Sequence, residues 1–208
     1  MRKKELKKIY NAYAPNYSKM IEKAGWWAPR LVKAQLKPFL TTTSKVLDAA
    51  CGDGYSSLEL LDFCEIYAFD HAEKMVEFAS LKNFKEVKLH DADFAFPYRD
   101  DFFDAAIGLG FFEFIKNIQF TLSEFKRVVK PSGYIFITVE DLDPELIKQS
   151  KKFEDVIDGV KKTRYSKKEM LRIFNKLKLT VEADERIFGY ESESLKGKYY
   201  YHYYLLKK

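Results

Sequence analysis

The sequence predicts an α/β fold in which a mostly parallel sheet ends in an antiparallel hairpin. Between residues 45 and 139, short apolar runs alternate with helical patterns of about ten residues, which is typical of βαβ units. Two long strand candidates, Leu179–Phe188 and Lys198–Leu206, follow with a short connection that favours antiparallel pairing. The 208 residues, 47% of them apolar, are enough for one domain with a buried core.

Residues 1–40 have a helical pattern. Apolar residues recur at three- and four-residue spacing from Leu6 to Ile21, and Pro15 interrupts the run, so we expect two short helices there. A third helix is expected from about Trp27 to Pro38, because proline is tolerated in a first helical turn. These helices form an N-terminal extension in front of the sheet.

The predicted sheet contains seven strands. Five are of parallel type and are expected at Val46–Asp48, Cys64–Phe69, Glu86–Leu89, Phe103–Leu109 and Tyr134–Val139. The helices between them are expected at Ser56–Asp62, Ala72–Leu81 and Ile118–Lys130. The charged stretch 143–176 is predicted to be helical, and the hairpin supplies the last two strands. We treat residues 1–208 as one domain, with a helical lid (1–40) and a core (41–208).

Cysteine usage and hydropathy exclude several classes of protein. Cys51 and Cys64 cannot form a disulfide framework, and no CxxC motif or His/Cys cluster suggests a metal site. No apolar run reaches the roughly 18 residues of a membrane-spanning helix. The basic N-terminus is not followed by the apolar segment of a signal peptide, so we expect a cytoplasmic protein without a metal.

The segment KVLDAACGDGYSS (45–57) is the most informative one. A strand ends at Asp48 and leads into a loop of small residues, whose backbone a ligand can approach closely. The helix expected next presents free N–H groups, so we expect a carboxylate or phosphate near Gly52–Ser56. Asp70, at the end of the next strand, is suited to hold ribose hydroxyls. A dinucleotide and S-adenosylmethionine both fit, although the third glycine of G-x-G-x-x-G falls on Ser57.

Four segments carry a resemblance to a known family. Asp48, Ala50, Gly52 and Gly54 match its first motif, an acidic residue followed by x-G/A-x-G-x-G. The segments HDADFAFPYRDDFFDAA (90–106) and EFKRVVKPSGYIFITVE (124–140) match later motifs in the right order, and IYNAYAPNY (9–17) matches the opening of small-molecule and methyltransferase-like members. The chain therefore resembles the class I S-adenosylmethionine (SAM)-dependent methyltransferases, particularly types 11 and 25. The resemblance implies a Rossmann-like seven-stranded sheet with helices on both faces, and SAM as cofactor.

The resemblance also implies roles for individual residues. Gly52 and Gly54 are expected to admit the methionine part of the cofactor, and Asp48 to orient its amino group. Asp91 is expected to accept the adenine amino group, with Asp93 as the alternative because one extra residue precedes Pro97. The full expected cofactor-binding set is Asp48, Ala50, Cys51, Gly52, Gly54, Asp70, His71, Asp91, Ala92, Tyr17 and Trp27.

Methyl transfer from a sulfonium depends mainly on orientation and desolvation. A general base matters only where the acceptor must lose a proton. The weak candidates at the strand ends are Glu113, Glu140 and Asp141, for each of which an exposed loop carboxylate is the favoured interpretation. Tyr10, Tyr17, Trp26 and Trp27 are expected to form an aromatic lid or a simple helix-pair contact.

The acceptor is predicted to be a small molecule. A net charge of +5 and 16% aromatic residues suggest a nucleic-acid surface, but the lysines are dispersed among acidic residues. The run KYYYHYYLL (198–206) resembles a base-stacking platform and is interpreted as a buried strand. Methylation of RNA or protein is the alternative enzyme hypothesis. A SAM-binding regulatory or assembly protein without catalysis is the third.

Overall fold

The computed structural model describes residues 2–141, 152–157, 160–192 and 197–208. Its helices are α1 (Arg2–Tyr13), α2 (Tyr17–Lys23), α3 (Ala28–Leu36), α4 (Glu73–Ser80), α5 (Ile118–Val128) and α6 (Lys167–Lys176). Its strands are β1 (Lys45–Ala49), β2 (Glu65–Asp70), β3 (Glu86–Leu89), β4 (Phe103–Gly108), β5 (Val129–Glu140), β6 (Lys152–Ile157), β7 (Val160–Tyr165), β8 (Thr180–Ser192) and β9 (Gly197–Lys207). Within these ranges, none of the helices is long and apolar enough to cross a membrane.

Seven strands form one mixed sheet in the order β3-β2-β1-β4-β5-β9-β8. Strands β1 to β5 are parallel to one another. Strand β9 lies between β5 and β8 and is antiparallel to both, with Ile137 opposite Tyr204. The predicted fold class is therefore confirmed, including the C-terminal hairpin. Strands β6 and β7 form a separate antiparallel ribbon.

The sheet is covered on both faces. On one face, α5 and α6 pack against it, and the fully buried Phe125 and Phe174 belong to this side of the core. On the other face, α3 contributes Val32 and Leu36 to a cluster with strand residues such as Phe136. The β9 residues from Tyr203 to Leu206 alternate between the two clusters, which accounts for this end of the tyrosine run as strand packing.

The N-terminal helices dock onto the sheet edge through specific contacts. Helix α1 ends where expected, and a short 3-10 segment that contains Pro15 separates it from α2. Asn11 accepts a hydrogen bond from the Lys74 N–H (2.9 Å) and donates to Glu73 (3.1 Å), which ties α1 to the start of α4. Ser18, on α2, donates to the Asp53 carboxylate. These contacts hold α1 and α2 above the loop that follows β1.

The prediction of helix over 143–176 is wrong for most of its described part. Residues 152–157 and 160–165 are strands, and helix is present only in α6; residues 142–151 and 158–159 lie outside the described residues. The sequence analysis placed the charges of β7 on a helix. Lys162 and Arg164 are instead buried, because both pair with the carboxylate of Glu140.

The helix expected at Ser56–Asp62 is a six-residue 3-10 helix, Tyr55–Leu60. The hydroxyl of Ser57 donates to the Asp48 carboxylate (2.7 Å) and contacts the Gly54 carbonyl oxygen (3.5 Å). Serine bonds of this kind compete with regular helix formation. The segment is therefore too short and tight to provide the extended helix N-terminus that the sequence suggests.

Candidate functional site

A cavity of about 750 Å³ lies at the carboxyl ends of β1, β2 and β4, under the N-terminal helices. This is the edge of a parallel sheet at which ligands bind in open α/β folds. From the expected cofactor set, the cavity is lined by Asp48, Ala50, Cys51, Gly52, Asp70, His71, Asp91, Ala92 and Tyr17. The topology thus brings together nine residues from four separate segments of the sequence.

Asp70 closes the loop after β1 onto the end of β2. One carboxylate oxygen accepts the Gly52 N–H (2.9 Å) and the other accepts the Ala72 N–H (2.9 Å). The side chain is almost fully buried, so these two bonds fix its orientation. Each carboxylate oxygen can accept a further hydrogen bond. The geometry is suitable for a pair of ribose hydroxyls, and that role stays a prediction.

Asp48 is the most deeply buried carboxylate of the loop. Burial raises its pKa to about 7; the Ser57 hydroxyl acts in the opposite direction, and the nearby Asp70 and Asp53 carboxylates raise it further. A positively charged ligand group beside Asp48 would favour its ionised form. The position therefore suits the ammonium group of an amino-acid moiety.

The loop itself is shaped by residues with positive φ. Ala50 has φ of 58° and Gly52 has φ of 56°. A Cβ on Gly52 would lie 3.3 Å from the ring of Tyr17, so the glycine lets this lid residue close on the loop. Cys51 is buried beside the carboxylates, and burial raises the pKa of its thiol well above the usual range. A neutral thiol is consistent with packing and not with a nucleophile.

The anion site expected near Gly52–Ser56 is not formed as predicted. The Tyr55 N–H already donates to Asp53 (3.1 Å), and the Gly54 N–H donates to the Cys51 carbonyl (2.9 Å). With the Gly52 N–H on Asp70, these three donors are already used within the protein. The acidic side chain of Asp53 takes the place that a bound anion was expected to occupy.

Gly54 and Trp27, two members of the expected cofactor-binding set, do not line the cavity. Gly54 has φ of 80°, and an ideal Cβ there would lie 2.7 Å from a ring carbon of Phe84. Trp27 stacks on Trp26 at 4.7 Å, and it is Trp26 that reaches the cavity and donates to Ser56 (3.2 Å). Gly54 thus packs against Phe84, and of the two tryptophans expected in the lid it is Trp26 that lines the cavity.

Asp91 lines the cavity, whereas Asp93 does not. Asp91 accepts from Lys3 (2.6 Å) and from the Asp93 N–H (2.9 Å), and Asp93 accepts from the Lys116 N–H (2.8 Å). Burial acts to raise the pKa of Asp91, but the Lys3 ammonium and the Asp93 N–H hold it below its usual range. The geometry favours Asp91 over Asp93 for contact with a ligand.

Of the three candidate bases, Glu113 alone lines the cavity. Its side chain is 1% exposed, and its Oε2 has no hydrogen-bond partner among the described residues. Burial, and to a smaller extent the negative charge of the nearby Glu140, raises the pKa of Glu113 to about 7. Glu140 is fully buried in ion pairs, and Asp141 pairs with Arg186 (2.6 Å). The latter two are therefore engaged in structural contacts away from the cavity wall.

Sequence reasoning missed several cavity residues. Lys3 reaches Asp91 from α1, and Lys162 reaches the cavity from β7, a strand that was predicted to be helical. His90 also lines the cavity and, like His71, has a buried Nε2 with no hydrogen-bond partner among the described residues. The local pattern carries no signal for Lys3 or Lys162, because both depend on tertiary packing.

Comparisons with known proteins show what the chain is similar to. Residues 47–137 match the family model of the methyltransferase domain. A tRNA (carboxymethyluridine(34)-5-O)-methyltransferase of Arabidopsis thaliana is 34% identical over 140 residues, which is 66% of this chain and 33% of that protein. The chain thus spans about a third of the length of this curated relative.

Two solved structures share the fold. A putative methyltransferase of Haloferax volcanii, in complex with the Trm112 methyltransferase activator, has a TM-score of 0.71 at 18% identity, covering 94% of this chain and 96% of that chain. A SAM-dependent methyltransferase of Methanosarcina mazei has a TM-score of 0.66 at 18% identity, covering 82% and 95%. At this level of identity the likeness concerns the fold.

Proposed function

The chain belongs to the class I SAM-dependent methyltransferase family, whose cofactor is SAM, and we propose that it transfers the methyl group to tRNA. The observation that supports a tRNA acceptor is the 34% identity, over 140 residues, to a tRNA methyltransferase. That relative's name places the methyl group on a carboxymethyl substituent of uridine, and we propose the same acceptor class here. The small-molecule acceptor expected from the sequence has no support among these relatives.

The cavity residues fit the cofactor. Asp48 would hold its ammonium group, Asp70 its ribose, and Asp91 with Ala92 its adenine. Tyr10 and Tyr17 pack edge to face at 6.1 Å on the lid, where aromatic rings exclude water and favour a nearby cation. The bound cofactor supplies a methyl group that is already activated for in-line displacement.

The protein's own contribution is orientation and desolvation. A carboxymethyl acceptor is ionised at neutral pH, so its oxygen needs no general base. This chemistry is compatible with the placement of Glu140 and Asp141, whose carboxylates are held in ion pairs and do not line the cavity. Ala50, Cys51 and Gly52 provide the close backbone approach that positions the cofactor.

A small-molecule acceptor is the second candidate. The observation that favours it is the cover of α1 and α2 over the cavity, held by Ser18 on Asp53 and by Lys3 on Asp91. Such a cover would separate a small acceptor from solvent. Methylation of tRNA instead requires one nucleoside to enter beside the lid.

Calorimetric titration with S-adenosylhomocysteine tests the cofactor site. The protein should bind it, and Asp70→Ala should weaken binding by about 1.5–3 kcal/mol, or roughly 10- to 150-fold, because hydrogen bonds to a charged group are lost. Asp62→Ala, at an exposed position, is the matched control and should bind like wild type. Absence of binding by the intact protein would contradict the cofactor assignment.

Labelled SAM tests the acceptor. An anticodon stem-loop RNA that carries 5-carboxymethyluridine at the position corresponding to nucleotide 34 should become methylated, and the same RNA with unmodified uridine should not. Digestion and mass spectrometry would locate the methyl group. Labelling of a small-molecule fraction without any labelling of RNA would overturn the tRNA proposal in favour of the second candidate.

A further inference from the structure

An ion pair between Lys3 and Asp91 lies at one end of the ligand cavity. Lys3, on α1, donates to Asp91 Oδ1 (2.6 Å), and its ammonium also lies 3.0 Å from Asp93 Oδ2. The side chain of Lys3 is 23% exposed and that of Asp91 is 25% exposed, so most of the pair is removed from solvent. One ammonium therefore compensates two carboxylates of the loop that follows β3.

The pair lies between two cavities. Lys3, His71, His90 and Asp91 line the ligand cavity, and the same four residues line an outer groove of about 330 Å³ beside α1. Lys3 thus contacts Asp91 at the partition between the two cavities. At this point α1 closes one end of the ligand cavity.

The hydrogen bonds of Asp91 are distributed unevenly between its two oxygens. Oδ1 accepts from Lys3 and from the Asp93 N–H (2.9 Å), whereas no described residue donates to Oδ2. An ionised carboxylate is only an acceptor, and a protonated carboxyl group can also donate. Ionised Asp91 can therefore accept a hydrogen bond from an amino group of a ligand, and it repels a carbonyl oxygen in the same place.

We propose that Lys3 determines the specificity for the cofactor's base: by pairing with Asp91 Oδ1, it keeps Oδ2 an acceptor for the 6-amino group of adenine and excludes a 6-oxo purine. This inference rests on the cofactor part of the proposed function. Lys3 acts on the cofactor through Asp91, so it is a positioning residue. The same contact holds α1 over the adenine end, which couples closure of the lid to selection of the base.

The electrostatics of the loop support this role of Lys3. Burial acts to raise the pKa of Asp91, and the Lys3 ammonium and the Asp93 N–H hold it below its usual range. Without Lys3, the carboxylates of Asp91 and Asp93 would lose their shared cation, so that one of them takes up a proton more readily. A 6-oxo ligand favours the state in which Asp91 holds this proton, because the carboxyl group then donates to the oxo group. The other titratable groups around Asp91 are His71, His90, Lys4 and Lys7.

Calorimetric titration with S-adenosylhomocysteine and with S-inosylhomocysteine, its 6-oxo analogue, tests the proposal. The wild type should bind the adenosyl compound roughly 10- to 150-fold more tightly, which corresponds to one hydrogen bond to a charged group. In Lys3→Met at about pH 5.5, this ratio should fall by about 3- to 10-fold, because a neutral hydrogen bond is about half as strong. At about pH 8 the ratio should fall less, since Asp91 is then ionised in both proteins. The ratio compares two ligands on one protein, so it does not depend on the folded fraction.

Two further variants separate selection of the base from attachment of α1. Lys7→Met removes the ion pair between α1 and Glu73, at the start of α4, and leaves Lys3 on Asp91. It should change both affinities by the same factor and keep the wild-type ratio. Lys3→Arg keeps a cation beside Asp91 at both pH values and should keep the wild-type ratio as well.

The possible results are distinguishable. A lower ratio in Lys3→Met, with wild-type ratios in Lys7→Met and Lys3→Arg, supports the proposal. An unchanged ratio in Lys3→Met at both pH values, or an equal fall in Lys7→Met, would overturn it and leave Lys3 as a contact of α1 only. Equal binding of the two ligands by the wild type would refute the acceptor role of Asp91 and the inference with it.

These titrations contain no RNA, so the inference and the proposed acceptor fail separately. A protein that selects the adenosyl compound through Lys3 and methylates no RNA would refute the tRNA acceptor alone. Methylation of RNA by a protein whose Lys3→Met variant keeps the wild-type ratio would refute this inference alone. Absence of any S-adenosylhomocysteine binding would refute the cofactor assignment together with the inference.

Discussion

Replacing Gly54 by alanine separates two roles of the loop after β1, namely cofactor binding and packing. Family resemblance assigns this glycine to the cofactor, whereas the structure places it against Phe84 and outside the cavity. If packing is the reason for the glycine, Gly54→Ala should destabilise the fold and leave the affinity for S-adenosylhomocysteine unchanged.

The expected loss has two parts. The φ of 80° at Gly54 lies in the left-handed region, where a side chain costs about 1–2 kcal/mol. The added Cβ would also lie 2.7 and 2.8 Å from two ring carbons of Phe84, and overpacking of this kind costs about 1–3 kcal/mol. Gly25 is a matched control, because its φ is 75° and nothing lies within 4 Å of its ideal Cβ. Gly25→Ala should therefore show the first part alone.

Thermal unfolding measures both variants. The difference between them should be about 2 kcal/mol, or about 6 °C in Tm for a domain of this size. In the double variant with Phe84→Leu, which removes the ring atoms, the extra loss at Gly54 should diminish. Equal destabilisation by Gly54→Ala and Gly25→Ala would refute the packing explanation. A stable Gly54→Ala variant that fails to bind S-adenosylhomocysteine would restore the cofactor role.

Two other substitutions test the site's electrostatics and the lid. Because the folded-state pKa of Asp48 is raised from 3.8 to about 7, its ionisation destabilises the fold, increasingly from about pH 4 and fully above pH 7. Asp48→Asn should therefore raise the free energy of urea unfolding more at pH 8 than at pH 5, and an equal increase at both would contradict this. Ser18→Ala removes the hydrogen bond to Asp53 and should weaken S-adenosylhomocysteine binding by about 1 kcal/mol, or about fivefold, with faster hydrogen exchange over residues 2–23. The exposed Ser80→Ala should change neither property, and unchanged exchange in Ser18→Ala would show that this bond does not hold the lid.

The order of strands and helices along residues 1–139 could be predicted from the sequence, because strand and helix patterns are local. The alternation of apolar runs between residues 45 and 139 gives the parallel strands, and Pro15 gives the break between the first two helices. The Asp48–Gly52 loop and Asp70 could be placed on one ligand edge, since the carboxyl ends of parallel strands share that edge.

The remaining features depend on contacts that sequence patterns do not show. In the sequence, the lysines of β7 resemble those of a solvent-exposed face. Only the fold shows that Glu140, which is distant in sequence, lies beside Lys162. Gly54 fits a cofactor motif and also a packing constraint, and only the position of Phe84 distinguishes the two. Lys3 and Glu113 reach the cavity through the docking of α1 and through the turn after β4.

The position of β9 within the sheet has a consequence for biosynthesis. Neither β5 nor β8 can complete its hydrogen bonds until residues 197–207 have left the ribosome, because β9 is inserted between them. During translation, β5 therefore presents an unpaired edge over more than half of its length, and such edges are sites of mispairing with other chains. Folding of the parallel half can begin early, whereas closure of the sheet must wait for β9. Delayed release of this segment should expose the nascent chain to aggregation and to chaperone binding.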